Sequence, residues 1–156
     1  MKTIQLSYLC DSAVNETDVI FSVEQAVKTL RASFKKGEIQ MQEYFKAMFL
    51  RGDGHVLGIQ TLSMGGTRIT VVDAKILFSA ALLAHAEAII LCHNHPSAVV
   101  HPSPDDLRLT QRLVDGARLL DLTIADHIIL TEDSYYSMSD NLQIVDGINR
   151  VRIHKE

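Results

Sequence analysis

Ala88-Ile89-Ile90-Leu91-Cys92-His93-Asn94-His95-Pro96-Ser97 is the stretch around which the rest of the chain must be arranged. Its first five residues are an unbroken apolar run between polar neighbours, the pattern of a buried strand whose extension carries two histidines. Side chains two apart on a strand share a face, so His93 and His95 point the same way while Asn94 points away. Pro96, with no amide hydrogen and a fixed φ, ends the strand. Both imidazoles therefore sit at a strand's carboxyl end.

Working outward, Ser103-Pro104-Asp105-Asp106 opens a helix ahead of the apolar positions Leu107, Leu109, Leu113 and Val114. Ser103 suits the N-cap and Pro104 the first helical position. Asp106 falls three residues after the cap, where a carboxylate complements the positive end of the helix dipole. That first turn delivers Asp106 on a rigid support. His93, His95 and Asp106 together make three protein ligands, and a tetrahedral zinc so held keeps its fourth position for water, as catalytic rather than structural sites do. The donor set predicts a hydrolase.

The whole pattern of His-x-His, seven residues, Ser, two residues, Asp resembles the metal-binding signature of the JAB/MPN/JAMM metalloprotease superfamily. The wording around it, with Asp126-His127-Ile128-Ile129 further on, resembles the RadC-like branch, and the likeness runs from about Glu43 to Ser139. The resemblance implies one zinc per chain on His93, His95 and Asp106. It also implies a general base from an early strand, where Glu43 stands in the corresponding place, and a carbonyl-polarising role for Ser103. The reaction so implied is hydrolysis of a peptide or isopeptide bond, and the fold a three-layer, cytidine-deaminase-like one. On the residues alone Glu43 would read as an exposed strand residue; only the resemblance lifts it above its rival Glu87.

Two departures bear on how far the likeness extends. Where relatives read Pro-Ser-Gly this chain has Pro96-Ser97-Ala98, and a left-handed backbone at that alanine would cost about 1–2 kcal/mol. Asp73-Ala74-Lys75 replaces an Arg-Glu pair, so no role of that pair transfers. Two alternatives follow from the same resemblance: a metal-dependent nuclease or accessory factor in DNA repair, and a non-catalytic MPN-type interaction module. A complete ligand set counts against the module. Longer relatives carry a helix-hairpin-helix region, for which the residues before Glu43 are too few.

With 156 residues, 47% hydrophobic and 22% charged, the chain suits one globular domain with a proper core. Its net charge of −4 and pI near 5.9 supply no field to hold polyanions, which disfavours nucleic acid and leaves a peptide or protein substrate as the expected partner. The amino terminus alternates like a strand and lacks a signal peptide's apolar core, predicting a cytoplasmic protein. Ile76 to Cys92 is apolar but includes His85 and Glu87 and is too short to span a bilayer. Cys10 and Cys92 are read as buried thiols rather than a disulfide.

Elsewhere, Thr3 to Leu9 reads as a strand, and Ser22-Val23-Glu24-Gln25 as a capping box opening a helix to about Phe34, which Gly37 ends. Glu43–Leu50 and His55–Leu62 flank Arg51-Gly52-Asp53-Gly54 as a hairpin, with Glu43 beginning a central strand. Thr67 to Val72 reads as another strand and Asp73 as the cap of a helix through Ala84. The Ser103 helix runs to about Leu120, before strands Thr123–Leu130 and Tyr135–Met138. Residues 1–156 thus form a single α/β domain, a mixed and mainly antiparallel sheet flanked by helices. Its core spans about 40–140, and the strand and helix of residues 1–36 pack on it. His101 is expected to be an exposed loop residue; His85 and His127 are expected to be hydrogen-bonded structural residues, His127 through Asp126.

Overall fold

The computed structural model describes residues 18–65 and 72–141. The first helix, α1 (Val23–Ala32), starts where Ser22 Oγ accepts from the Gln25 amide at 3.3 Å, while the Gln25 side chain takes the Phe21 amide at 2.7 Å. At its far end the Lys46 ammonium donates to the Ser33 carbonyl at 2.6 Å and lies 3.9 Å over the Phe34 ring. The helix is capped at Ser33, before Gly37. Instead of ending α1, Gly37 (φ +85°) precedes a one-turn helix, α2 (Glu38–Met41), too short to leave a periodic signal in the sequence.

The hairpin forms as expected from β1 (Tyr44–Leu50) and β2 (Val56–Met64). After it come α3 (Ala74–Leu83), β3 (Ala88–Asn94), α4 (Pro104–Arg118), β4 (Thr123–Leu130) and β5 (Tyr135–Ser137). The sheet order is β2-β1-β3-β4-β5, with only β3 and β4 parallel. Glu43 stands immediately before β1 rather than in it, and β1 lies beside the central strand β3.

Strand alternation sorts the core into two halves. Phe45, Ala47, Phe49, Ile89, Leu91 and Ile129 face one side and pack on Leu77 and Ala81 of α3 and Leu113, Val114 and Ala117 of α4. Met48, Leu50, Ile90, Cys92, Ile128 and Leu130 face the other side and meet Val27 and Leu30 of α1 and Ile39 of α2. The result is the three-layer α/β arrangement with a mixed, mainly antiparallel sheet that the sequence predicts. Cys92 is a buried free thiol whose pKa burial pushes up to about 12. The strand read at Thr3–Leu9, Cys10, and residues 67–71 of the strand read at Thr67–Val72 lie outside the described residues; Val72 is buried and not in a strand. No helix among the described residues is long and apolar enough to cross a membrane.

Candidate metal centre

Antiparallel pairing sets Phe45 of β1 opposite His93 of β3, and their rings stack 5.9 Å apart at an interplanar angle of 4°. His93 is thereby held on the α4 side of the sheet at 1% exposure. His95 lies one residue beyond the strand, yet its amide still donates to the Leu130 carbonyl at 2.8 Å. Its ring is turned by the loop that follows: Nδ1 lies 2.6 Å from the Val99 carbonyl. A carbonyl only accepts, so the hydrogen is on Nδ1 and the lone pair on Nε2. That loop bends through Ala98 at φ +62°, the left-handed conformation in which glycine would be unstrained.

Asp106 arrives from α4 through a reciprocal cap. The Ser103 hydroxyl accepts the Asp106 amide at 3.1 Å, and Asp106 Oδ2 accepts both the Ser103 amide and the Ser103 hydroxyl at 2.7 Å. Its Oδ1 then stands 3.4 Å from His93 Nε2 and its Oδ2 3.7 Å from His95 Nε2, while the two Nε2 atoms are 2.8 Å apart. Ligand atoms of a tetrahedral ion at about 2.0–2.1 Å stand about 3.3 Å from one another, within the range of these spacings. Partial burial alone would raise the Asp106 carboxyl. His93 and the side chain and amide of Ser103 outweigh it, and the pKa lies well below the usual carboxylate range. An anion and two imidazoles converge here, and the donor set fits a metal ion.

Behind His93 lies a residue whose role sequence reasoning missed. His127 was expected to bond through Asp126, but the Asp126 carboxylate takes the His127 backbone amide at 2.7 Å, together with the Ser137 hydroxyl and the Ser139 amide. Burial, opposed by those donors, pushes the Asp126 carboxyl up to about 6. The His127 ring instead faces the other way, with Nε2 2.7 Å from His93 Nδ1 and Nδ1 2.5 Å from the Thr110 hydroxyl. Complete burial, followed by the neighbouring His93, holds its pKa well below 6.5, so the ring is neutral. Parallel pairing of Leu91 with His127 puts the ring on the face of His93. No spacing within the sequence carries that register.

A family model of the RadC-like JAB domain matches residues 20–144. The chain belongs to the RadC-like JAB domain family. A UPF0758 protein of Flavobacterium johnsoniae is 38% identical over 104 residues, 67% of this chain and 45% of that protein. One from Porphyromonas gingivalis is 39% identical over 100 residues, 64% and 44% of the two chains. A third, from Listeria welshimeri, is 30% identical over 141 residues, 90% and 62%. The chain spans about half the length of the curated relatives it matches.

The JAB domain brings Glu43, His95, Ser103 and Asp106 to one cleft of about 770 Å³, whose walls include Phe45, Val72, Leu109 and Arg112. Asn94, pointing to the opposite face as its alternation predicts, positions the approach of Glu43. Its Oδ1 accepts the Tyr44 amide at 2.8 Å, and its Nδ2 donates to the Gln42 and Ile39 carbonyls at 2.8 Å. The backbone on both sides of Glu43 is thus tied to the strand that carries the histidines. Glu87 is at the far end of the same sheet, where its carboxylate takes the Gly52 amide at 3.0 Å and its own amide donates to the Leu50 carbonyl. His101 is exposed and edge-on to Tyr136, its ring centre 5.5 Å away, on the rim of the cleft. His85 is not on the face of α3. It follows the helix at φ +54° and closes a Schellman turn, with His85 N bonded to Leu82 O and Ala86 N to Ala81 O.

Proposed function

We propose that this JAB domain is a zinc-dependent hydrolase that cleaves an amide bond, peptide or isopeptide, in the cleft beside His95 and Ser103. The observation that carries the reading is the convergence of His93 Nε2, His95 Nε2 and the Asp106 carboxylate beside the cleft that also holds Glu43. Zinc bound there supplies a Lewis acid that polarises a carbonyl and lowers the pKa of water from 15.7 to about 7. His93 and His95 would hold the ion through Nε2, and Asp106 would contribute one negative charge. The Glu43 carboxylate accepts a proton from the attacking water as its oxygen bonds to the carbonyl carbon. It returns that proton to the amine nitrogen as the C–N bond breaks, which restores the carboxylate. The Ser103 hydroxyl, which donates its one hydrogen to Asp106 Oδ2 at 2.7 Å in the free site, releases that bond and donates to the oxyanion as it develops.

Element-specific analysis of protein purified without added metal should find zinc near one per chain. His93→Ala, His95→Ala and Asp106→Ala should each lose it on dialysis. Glu43→Gln should keep the zinc, while amine release from a peptide library falls about 10²–10⁴-fold. Metal-free parent protein would refute the reading in favour of an interaction module. Loss of zinc from Glu43→Gln would make Glu43 a ligand, and an undiminished rate would place the base elsewhere. With a net charge of −4, binding to DNA should be no tighter than the non-specific range of about 10⁻⁴–10⁻⁶ M. Submicromolar binding, or nicking that disappears in His95→Ala, would make the enzyme a nuclease.

A further inference from the structure

The buried contacts behind His93 form a closed chain. His93 Nδ1 meets His127 Nε2 at 2.7 Å, His127 Nδ1 meets Thr110 Oγ1 at 2.5 Å, and Thr110 Oγ1 meets the carbonyl of Asp106 at 2.7 Å. The chain starts at one candidate ligand and ends on the backbone of another. His93, Thr110 and His127 are buried, at 1%, 3% and 0% exposure, so bulk water does not take the place of a missing partner.

Hydrogen bookkeeping gives this chain a direction. The Asp106 carbonyl can only accept, and Thr110 has one hydroxyl hydrogen to give. Its other acceptor, Met138 Sδ, is 3.6 Å away and weaker. With that hydrogen on the carbonyl, the short contact to His127 needs a hydrogen on His127 Nδ1. With its hydrogen on Nδ1, the His127 ring offers Nε2 as the acceptor, and the 2.7 Å contact with His93 then needs a hydrogen on His93 Nδ1. His93 is left with its lone pair on Nε2, toward Asp106 and His95. The opposite polarity would leave a hydrogen on His93 Nε2, between the two histidines, where a metal ion must sit.

We propose that Thr110 and His127 are positioning residues that set His93 in its metal-binding tautomer and couple its ring to the helix turn bearing Asp106. This rests on the reading of His93 as a zinc ligand. It goes beyond that reading because neither residue touches the metal or the cleft. Other second-layer partners of metal-bound histidines are worth about 10–100-fold in metal affinity. The same range is expected here from a hydroxyl two steps removed.

Zinc affinity, measured by competition with a chromophoric chelator on the full chain, tests the relay. Thr110→Val, which keeps the shape and removes the hydroxyl, should weaken zinc binding about 10–100-fold, and Thr110→Ser should restore it. His127→Leu should lose affinity, and His127→Gln, whose amide oxygen can stand near Nε2, should recover part of it. Thermal unfolding of the metal-free variants separates this from a general packing defect, because a packing role predicts that Thr110→Val lowers the metal-free midpoint without lowering affinity. Nitrogen-15 spectra of the zinc-loaded protein should show His127 protonated on Nδ1 and bare on Nε2. Parent-like affinity in Thr110→Val, or a His127 hydrogen on Nε2, overturns the relay while leaving the metal centre standing. Parent protein that takes up no zinc overturns both.

Discussion

Asn94→Leu removes the amide that ties Glu43 to the strand carrying the candidate histidine ligands while keeping a branched side chain of the same number of heavy atoms. Asn94 is 0% exposed and makes three hydrogen bonds to backbone, to Tyr44 N, Ile39 O and Gln42 O, each at 2.8 Å. At about 1 kcal/mol for each bond, their loss costs about 3 kcal/mol, with leucine's packing against the apolar α1 side of the sheet opposing the cost of the stranded backbone groups. For a chain of this length that lowers Tm by about 6–12 °C. The damage should also be selective. Asn94 touches neither histidine ring nor Asp106, so zinc stoichiometry in the folded variant should match the parent while amide hydrolysis falls. Circular dichroism melts of zinc-saturated protein, zinc analysis and amine release measure the three quantities. A Tm equal to the parent's, or zinc and activity lost together below the melt, would refute the assignment of Asn94 as the tether of Glu43.

Ala98→Gly should stabilise the protein. Relieving the backbone at φ +62° recovers about 1–2 kcal/mol, and the greater freedom of unfolded glycine takes back about 0.4–1 kcal/mol. The net gain of up to about 1.6 kcal/mol should raise Tm by up to about 6 °C, and a fall would place the strain elsewhere. Asp126→Asn tests the buried carboxyl whose pKa is pushed up to about 6. The folded chain holds that proton more tightly than the unfolded one, at about 3.9, so this group's stabilising contribution is full below about pH 4 and is lost as pH rises through about 6. The asparagine variant, free of that loss, should gain on the parent by about 1–3 kcal/mol between pH 4 and 7.5. Denaturant unfolding at both pH values measures the gain, and an equal gap at both would refute it.

What could be read from the sequence was what short-range pattern encodes. The candidate ligand triad follows from strand alternation at His93 and His95 and from the Ser103 cap, features written within a few residues of one another. The strands from Tyr44 to Leu130 announce themselves by apolar alternation or by unbroken apolar runs. Asn94 and His127 escaped because their partners come from elsewhere: Tyr44 and Gln42 across one strand pairing, and His93 and Thr110 across another strand and a helix. Gly37 misled because a left-handed glycine suits the end of one helix and the approach to another equally well. In the structure α1 is capped at Ser33, whose hydroxyl donates to the Leu30 carbonyl, four residues before Gly37. Glu43 gave no local sign of function, since nothing in Gln42-Glu43-Tyr44 distinguishes a base from a solvated strand residue.

His93, His95 and Asp106 lie within fourteen consecutive residues, whereas Glu43 stands fifty positions upstream of His93. The three candidate donors come from one strand, one loop and one helical turn, whereas bringing Glu43 beside them requires β1 to dock along β3. The larger loop adds only a logarithmic entropy to closing that contact. A chain whose hairpin has peeled away loses Glu43 from the cleft together with the Phe45 ring that stacks on His93. The proposed hydrolysis would therefore depend on β1 staying docked along β3, a contact that the three candidate donors' closeness in sequence does not supply.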